Sequence, residues 1–231
     1  GKQARLHSQQ KVDRRAYAAY RGGLESMFTF SQEGIADAVV QFEKARELDP
    51  GFVDPLALLA GLDWWQSTVG ETLITPQEGF SRAKARLREA LRIAPNHGTV
   101  LWEQGIIAML GDWDWKKAQE SFRKAITVDP DTADYYEGLV LYLHRIEGRY
   151  ADAFAYTAQG LRLDPDNPVL LNIAPWIHEH KGDYDTALSL HEKYHVRYPS
   201  EWNHLRGIAR CLAALGRLAE SREAAERAIQ I

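Results

Sequence analysis

The strongest chemical signal in the sequence is a run of five residues, His191-Glu192-Lys193-Tyr194-His195. It matches the H-E-x-x-H pattern, in which two histidines one helical turn apart bind zinc and the glutamate activates water. A catalytic zinc site needs three protein ligands and an open position. Here residues 196–199 end the helix at a proline, and no third ligand is specified. A zinc-dependent hydrolase is therefore kept only as the third hypothesis.

No other pattern in the sequence points to catalysis. The glycines punctuate helical segments, and none of them forms a phosphate loop or a nucleophile elbow. His178 and His180 are close enough in sequence to the motif to favour adventitious metal binding. The single cysteine, Cys211, excludes an intramolecular disulfide, and we expect no cysteine-based zinc site. We therefore predict that the protein is not an enzyme and has no catalytic residues, metal or cofactor.

The elements that carry these residues repeat along the chain. Residues 167–199 show apolar positions three and four apart on both sides of Gly182, which is typical of two amphipathic helices joined by a turn. The unit recurs, and its closing prolines are separated by 45, 35, 35 and 34 residues. A period near 34 indicates stacked helical hairpins. The closing prolines are Pro50, Pro95, Pro130, Pro165 and Pro199.

This period predicts an all-α fold, a right-handed α-solenoid of about six helical hairpins. We place a linker or tag remnant at residues 1–15 and the solenoid at residues 16–231. We expect Gly111 and Gly148 to end helices in the left-handed conformation. The extra residues of the second repeat are expected to form a long loop at residues 66–77. The predicted repeats are 16–50, 51–95, 96–130, 131–165, 166–199 and 200–231.

Composition limits the classes of partner. The net charge is −4, with 28 basic and 32 acidic residues, so no overall field favours nucleic acid. No run of 18 uncharged apolar residues is present, so we expect no membrane insertion by this segment. The start without methionine suggests a piece of a longer protein. A cytoplasmic location is favoured, or a periplasmic one if a membrane-spanning segment precedes the chain.

The repeat resembles the tetratricopeptide repeat, a 34-residue helical hairpin with small and large apolar residues at fixed places. Three repeats match it closely on the inner face of their second helix, and two match less well. The resemblance covers residues 16–231 and implies a scaffold that binds other proteins. The matching triplets are Ala38-Phe42-Ala45, Ala83-Leu87-Ala90 and Ala118-Phe122-Ala125, and the weaker ones Ala153-Thr157-Gly160 and Ala187-His191-Tyr194.

A finer resemblance concerns the opening of the first repeat and residues 111–118. Ala16-Tyr17 before a lengthened first repeat and the run Gly-Asp-Trp-Asp-Trp-Lys-Lys-Ala look like repeat regions of bacterial signalling proteins. In such proteins the repeats follow cyclase or winged-helix transcription-regulator domains. This resemblance implies part of a larger bacterial signalling or regulatory protein.

In the tetratricopeptide repeat the first helices line a concave groove, which implies a set of partner-binding positions. They are aromatic in the middle and basic towards the C-terminus, and Glu179 falls among them. Exposed tryptophans in a concavity anchor apolar side chains of a partner. The candidate residues are Trp64, Trp65, Trp102, Glu137, Leu141, His144, Asn172, Trp176, His180, Arg206 and Arg210.

These observations predict a non-catalytic protein–protein interaction scaffold that binds a peptide segment of a partner in its groove. Some relatives hold acidic chaperone tails with a clamp of lysines, arginines and asparagines; here only Arg206 and Arg210 are basic at the positions considered, so that clamp is not present. The alternative is a self-association module, in which the uncapped sixth repeat and the groove join copies into a homo-oligomer.

Overall fold

The structure is a computed structural model that describes residues 12–27, 29, 31–68, 74–197 and 202–230. Across these residues it contains helices and no β-strand. The helices pair in sequence order as antiparallel hairpins, so the predicted all-α architecture of helical hairpins is confirmed. Most of the predicted linker and the closing residue Pro199 lie outside the described residues.

The chain divides into two compact units, residues 1–129 and residues 130–231. Each unit contributes three hairpins within the described residues. The helices of the first unit are α1 (Arg14–Met27), α2 (Gln32–Leu48), α3 (Val53–Thr68), α4 (Pro76–Ile93), α5 (Gly98–Ile107) and α6 (Trp115–Val128). Those of the second unit are α7 (Asp134–Tyr142), α8 (Tyr150–Leu163), α9 (Pro168–His180), α10 (Tyr184–Arg197), α11 (Trp202–Ala214) and α12 (Leu218–Gln230).

Small residues allow the two helices of a hairpin in the first unit to pack closely. Ala38, Phe42 and Ala45 of α2 are fully buried. The Phe42 ring fits because Gly23 of α1 has no side chain, and a Cβ there would lie 2.5 Å from the ring. Gly105 and Phe122 repeat this relationship in the third hairpin. The predicted inner faces therefore pack as the repeat pattern requires.

The predicted loop at residues 66–77 is shorter than expected. Helix α3 continues to Thr68, and α4 begins at Pro76, so both ends of the predicted loop are helical. The start of α4 is fixed by a capping box. The Thr75 hydroxyl accepts a bond from the Glu78 N–H at 3.3 Å, and the Glu78 carboxylate accepts one from the Thr75 N–H at 3.0 Å. Residues 69–73 lie outside the described part.

Two first helices end in a wide π-helical turn, at Ala108–Asp112 after α5 and at Leu143–Glu147 after α7. Gly148 follows the second turn with φ 64°, as predicted. The prediction for Gly111 is wrong, because Trp113 takes the left-handed conformation there, with φ 56°. The π-turn moves the chain reversal past Gly111, so a non-glycine residue adopts this conformation.

The interior of the second unit contains several buried polar side chains. Asn167 caps α9, accepting a bond from the Leu170 N–H at 2.9 Å. Its amide donates to the buried Glu137 at 2.8 Å, which ties α9 to α7. His191 of α10 and His204 of α11 are both buried, in positions where apolar residues are expected.

Within the described residues, no helix is both long and apolar enough to cross a membrane.

Candidate functional site

The second unit contains a concave pocket of about 610 Å³, here called the Trp176 pocket. Helices α9 and α11 form its walls, and the π-turn after α7 closes one end. Six of the predicted partner-binding residues meet there. The lining residues are His144, Arg145, Asn172, Ile173, Trp176, Glu179, His180, Tyr184, Asn203, Arg206, Arg210 and Ala214.

Two arginines of α11 lie against tryptophan rings. The guanidinium carbon of Arg210 is 4.5 Å from the centre of the Trp176 ring, and that of Arg206 is 4.9 Å from the Trp202 ring and 5.7 Å from Trp176. The Trp176 indole N–H points to Asn172 Oδ1 at 3.4 Å. The pocket therefore presents aromatic faces beside positive charge, an arrangement suited to an amphipathic ligand.

Glu179 forms an ion pair with Arg210 but not with Arg206. Its Oε2 accepts bonds from Arg210 Nη2 at 2.6 Å and Nε at 3.0 Å, and its Oε1 lies 2.6 Å from His191 Nε2. Burial works against its charge, yet His191 and Arg210 hold the pKa of Glu179 below its usual range. Arg206 is exposed and pairs with no carboxylate in the described part of the chain.

Two histidines close the end of the pocket. His180 Nδ1 donates to the Trp176 carbonyl at 2.7 Å, and its ring stacks on Tyr150 with centres 4.6 Å apart. His144 Nε2 lies 3.3 Å from His180 Nδ1. Burial, with help from the neighbouring His180 and Arg145, lowers the pKa of His144 to about 4. The His144 imidazole is therefore neutral at neutral pH, so one ring nitrogen is a hydrogen-bond donor and the other is an acceptor.

The other predicted partner-binding residues of the second unit are not in the pocket. Glu137 is buried against Asn167, and burial, then the nearby Asp134, raises its pKa to about 8. It supports the start of α9. Leu141 is half-buried on α7 and does not line the pocket.

The three predicted tryptophans of the first unit are all half-buried. Trp64 packs on the core around Leu87, and its Nε1 donates to Glu103 at 3.3 Å. Trp65 packs on the core formed by α2 and α3. The Nε1 atom of Trp102 is buried and has no hydrogen-bond partner within the described residues.

Some residues of the site escaped prediction from the sequence. Trp202, which contacts Arg206, was not predicted; Asn203 lines the pocket and falls at a groove position of the repeat, but it was not among the named candidates. No neighbour was predicted for Cys211 from the sequence, although it lies fully buried near Glu179 and His191. Burial and the nearby Glu179 raise its pKa to about 12. Gly207 and Cys211 are four residues apart and share one face of α11, but their spacing does not indicate that this face meets His191.

The H-E-x-x-H motif does not assemble a zinc site in the described residues. His191 is fully buried and faces Glu179, whereas His195 Nε2 lies 3.4 Å from an Arg227 nitrogen on α12. Glu192 is exposed on another face of α10. His195 and Glu192 belong to no group of three or more potential metal ligands there.

Comparison with known proteins agrees with the helical-hairpin fold. The tetratricopeptide repeat family model matches residues 111–168 and 176–231. The pilus biogenesis factor PilW is similar in structure, with 17% identity and a TM-score of 0.66, covering 94% of this chain and 91% of PilW. PilF of Pseudomonas aeruginosa has 20% identity and a TM-score of 0.63, covering 95% of this chain and 90% of PilF. The family model covers just under half of the chain, and the two solved structures show the same fold.

Two further proteins are similar to this chain. YrrB, described as a tetratricopeptide repeat protein with an unusual peptide-binding site, has 20% identity and a TM-score of 0.56, covering 82% of this chain and 91% of YrrB. The BBSome complex member BBS4 of Bos taurus is 30% identical over 133 residues, 54% of this chain. The chain spans only 24% of that protein's length. Proteins of this repeat family are generally protein–protein interaction scaffolds.

Proposed function

We propose that the chain is a non-catalytic interaction scaffold that binds a segment of a partner protein in the Trp176 pocket. The observation that carries this proposal is the exposed Arg206, which lies against two indole rings and has no carboxylate partner within the described residues. The structurally similar YrrB, which has a peptide-binding site, is consistent with this use of the fold.

The chemistry of the pocket defines the segment. An apolar or aromatic side chain would cover Trp176, because the indole offers the largest apolar face of the pocket. A carboxylate, from an acidic side chain or a chain end, would pair with Arg206. Arg210 contributes less to such a pair, since Glu179 already accepts its hydrogen bonds. His144 and Asn172 would bind backbone groups of the segment.

Selection from a peptide library with free C-termini tests this proposal. Peptides enriched on the immobilised chain are expected to combine an apolar residue with a nearby carboxylate, and to bind in fluorescence anisotropy with an affinity that falls as salt rises. Enrichment of basic or purely polar peptides would contradict the proposed chemistry. Failure to enrich any sequence would contradict peptide binding.

The groove residues of the first unit offer a similar kind of contact to a partner segment. Trp65 and Trp102 are half-buried, so part of each indole remains available for binding. The N–H of Trp102 is buried, so this side chain would offer a partner its ring and not its hydrogen-bond donor. Trp64 contributes less, because Glu103 already accepts its N–H.

Self-association is the second candidate function, and a separate observation favours it. A hollow of about 430 Å³ lies between α11 and α12, and its lining is mostly apolar. The lining residues are Trp202, Arg206, Ala209, Arg210, Ala213, Ser221, Ala225, Ala228 and Ile229. Ile229 at its rim is 85% exposed. An apolar hollow beside an exposed isoleucine suits a second copy. Sedimentation velocity over a wide concentration range should then show a dimer that Ile229→Asp abolishes, and a constant monomer would exclude this function.

We further propose that the scaffold is part of a larger bacterial signalling or regulatory protein. The support is the resemblance of residues 111–118 to the repeat regions of such proteins. Determining the size of the natural protein with an antibody against this chain tests the proposal. A natural protein of only 26.2 kDa would contradict it.

A further inference from the structure

Three potential metal ligands from three consecutive helices meet in the second unit. Glu179 of α9, His191 of α10 and Cys211 of α11 each place one ligand atom within 4.8 Å of the other two. His191 and Cys211 are fully buried, and the Glu179 side chain is 9% exposed. The three residues are far apart in sequence, so the packing of the helices alone brings them together.

The surroundings fix the orientation of the histidine ring. Gly207 of α11 faces His191, and a Cβ on that glycine would overlap the ring. On the other side, His191 Nδ1 lies 3.0 Å from His204 Nδ1. A hydrogen bond from His191 Nδ1 to this second histidine leaves Nε2 to face Glu179 and Cys211. A histidine whose second nitrogen is held in this way is the usual arrangement at metal sites.

We infer that Glu179, His191 and Cys211 bind one divalent cation of the zinc class, with Oε1, Nε2 and Sγ as ligands. Carboxylate oxygen, imidazole nitrogen and thiolate sulfur are all zinc ligands, at about 2.0–2.3 Å. Tetrahedral ligands at these lengths lie roughly 3.5 Å apart. Oε1 and Nε2 are now 2.6 Å apart, and one ligand atom of each residue lies within 4.8 Å of the other two, so rotation of the Glu179 and Cys211 side chains suffices.

Binding of the cation releases two protons. The cation replaces the proton shared by Glu179 Oε1 and His191 Nε2 and displaces the Cys211 thiol proton, and both protons go to solvent. Arg210 stays on Oε2, the carboxylate oxygen that does not bind the metal. Glu179 is the ligand that also lines the Trp176 pocket, so the cation enters there and its fourth position receives water from that side.

This site differs from the one that the sequence motif suggests. It uses the first histidine of the H-E-x-x-H run but neither Glu192 nor His195. His195 therefore provides a matched control, because it is the second half of the motif and contacts Arg227 instead. The metal-site proposal is also independent of the proposed function, because metal uptake by the free chain requires no partner peptide.

Cobalt is the probe that reports sulfur ligation directly. Titration of the purified chain with Co²⁺ should give one equivalent per chain and a thiolate-to-cobalt charge-transfer band, which Zn²⁺ then removes. Cys211→Ser and Glu179→Gln should each weaken binding by about 100-fold or more, since even neighbours of metal ligands are worth about 10–100-fold. His195→Asn should bind as the natural chain does.

A second measurement keeps the test independent of folding. Zn²⁺ should raise the Tm of the natural chain and of His195→Asn, but not of Cys211→Ser or Glu179→Gln, with circular dichroism confirming that all four chains are folded. Absence of the charge-transfer band would overturn the proposal. So would equal loss of binding in His195→Asn, which would assign the metal to the sequence motif.

Discussion

Arg210 and Trp176 form a pair in which the guanidinium carbon lies 4.5 Å from the ring centre while its nitrogens donate to Glu179. This pair explains why the two arginines of α11 are not equivalent. Arg210 is already bound to a carboxylate, whereas Arg206 contacts aromatic rings and pairs with none in the described residues. An incoming carboxylate therefore meets Arg206 without breaking an existing ion pair.

Arg206→Gln should weaken binding of an acidic peptide from the library by about tenfold, because a hydrogen bond to a charged group contributes roughly 1.5–3 kcal/mol. The remaining binding should also depend less on salt. Fluorescence anisotropy at low and high salt measures both effects. Arg222→Gln, an exposed arginine of α12 outside the pocket, is the control and should change neither. Equal losses in the two variants would indicate a non-specific charge effect.

Glu103→Gln should stabilise the protein more at high pH than at low pH. Burial raises the pKa of Glu103 from 4.5 to about 8, although Trp64 donates to it. The folded state then binds more protons than the unfolded state between these values, so stability falls as pH rises from about 4.5 to about 8. Glutamine keeps the acceptor for Trp64 and removes the titration.

The expected gain at pH 9 is up to about 5 kcal/mol in the free energy of unfolding, with little change at pH 4. Urea unfolding of both chains at the two pH values measures it. Glu137, whose pKa is also raised to about 8, contributes a similar slope that this variant retains. The same gain at both pH values would show that Glu103 is not protonated in the folded state.

Two adjacent glycines of α1 should respond to alanine in opposite directions. At Gly23 the new Cβ would lie 2.5 Å from the Phe42 ring, so Gly23→Ala should cost about 1–3 kcal/mol of stability. At Gly22 the nearest atom is 3.7 Å away on the Gln41 side chain. Gly22→Ala should therefore be neutral or stabilise by up to about 1 kcal/mol, since alanine favours helix. Thermal unfolding compares them, and equal Tm values would contradict this packing.

The sequence predicted the hairpins because their packing has a local signature. Alanine and phenylalanine recur three and four residues apart at Ala38, Phe42 and Ala45, and a helix puts such residues on one face. The capping box of Thr75 and Glu78 is a local signature for the start of α4, but the predicted loop extended beyond this start, to residue 77. The π-turn before Trp113 had none, because it depends on how α5 fits against its neighbours.

The site was only partly predictable for the same reason. Repeat positions brought Trp176 and Arg206 to one surface, since both lie on first helices of their hairpins. No sequence spacing indicates that Cys211 approaches His191, because their proximity depends on the packing of α10 against α11. The H-E-x-x-H motif was misleading, as His195 points towards Arg227 of α12.

Binding of a library-derived peptide to Trp176→Leu tests the central claim most directly. Leucine fills part of the half-buried site but offers no aromatic face to Arg206 or to the peptide. Trp113→Leu is the matched control, since Trp113 is 70% exposed and lies outside the pocket. We expect Trp176→Leu to lose binding by tenfold or more, a difference of about 1.4 kcal/mol, with its Tm retained. Unchanged affinity in Trp176→Leu, or equal loss in Trp113→Leu, would contradict peptide binding in the Trp176 pocket.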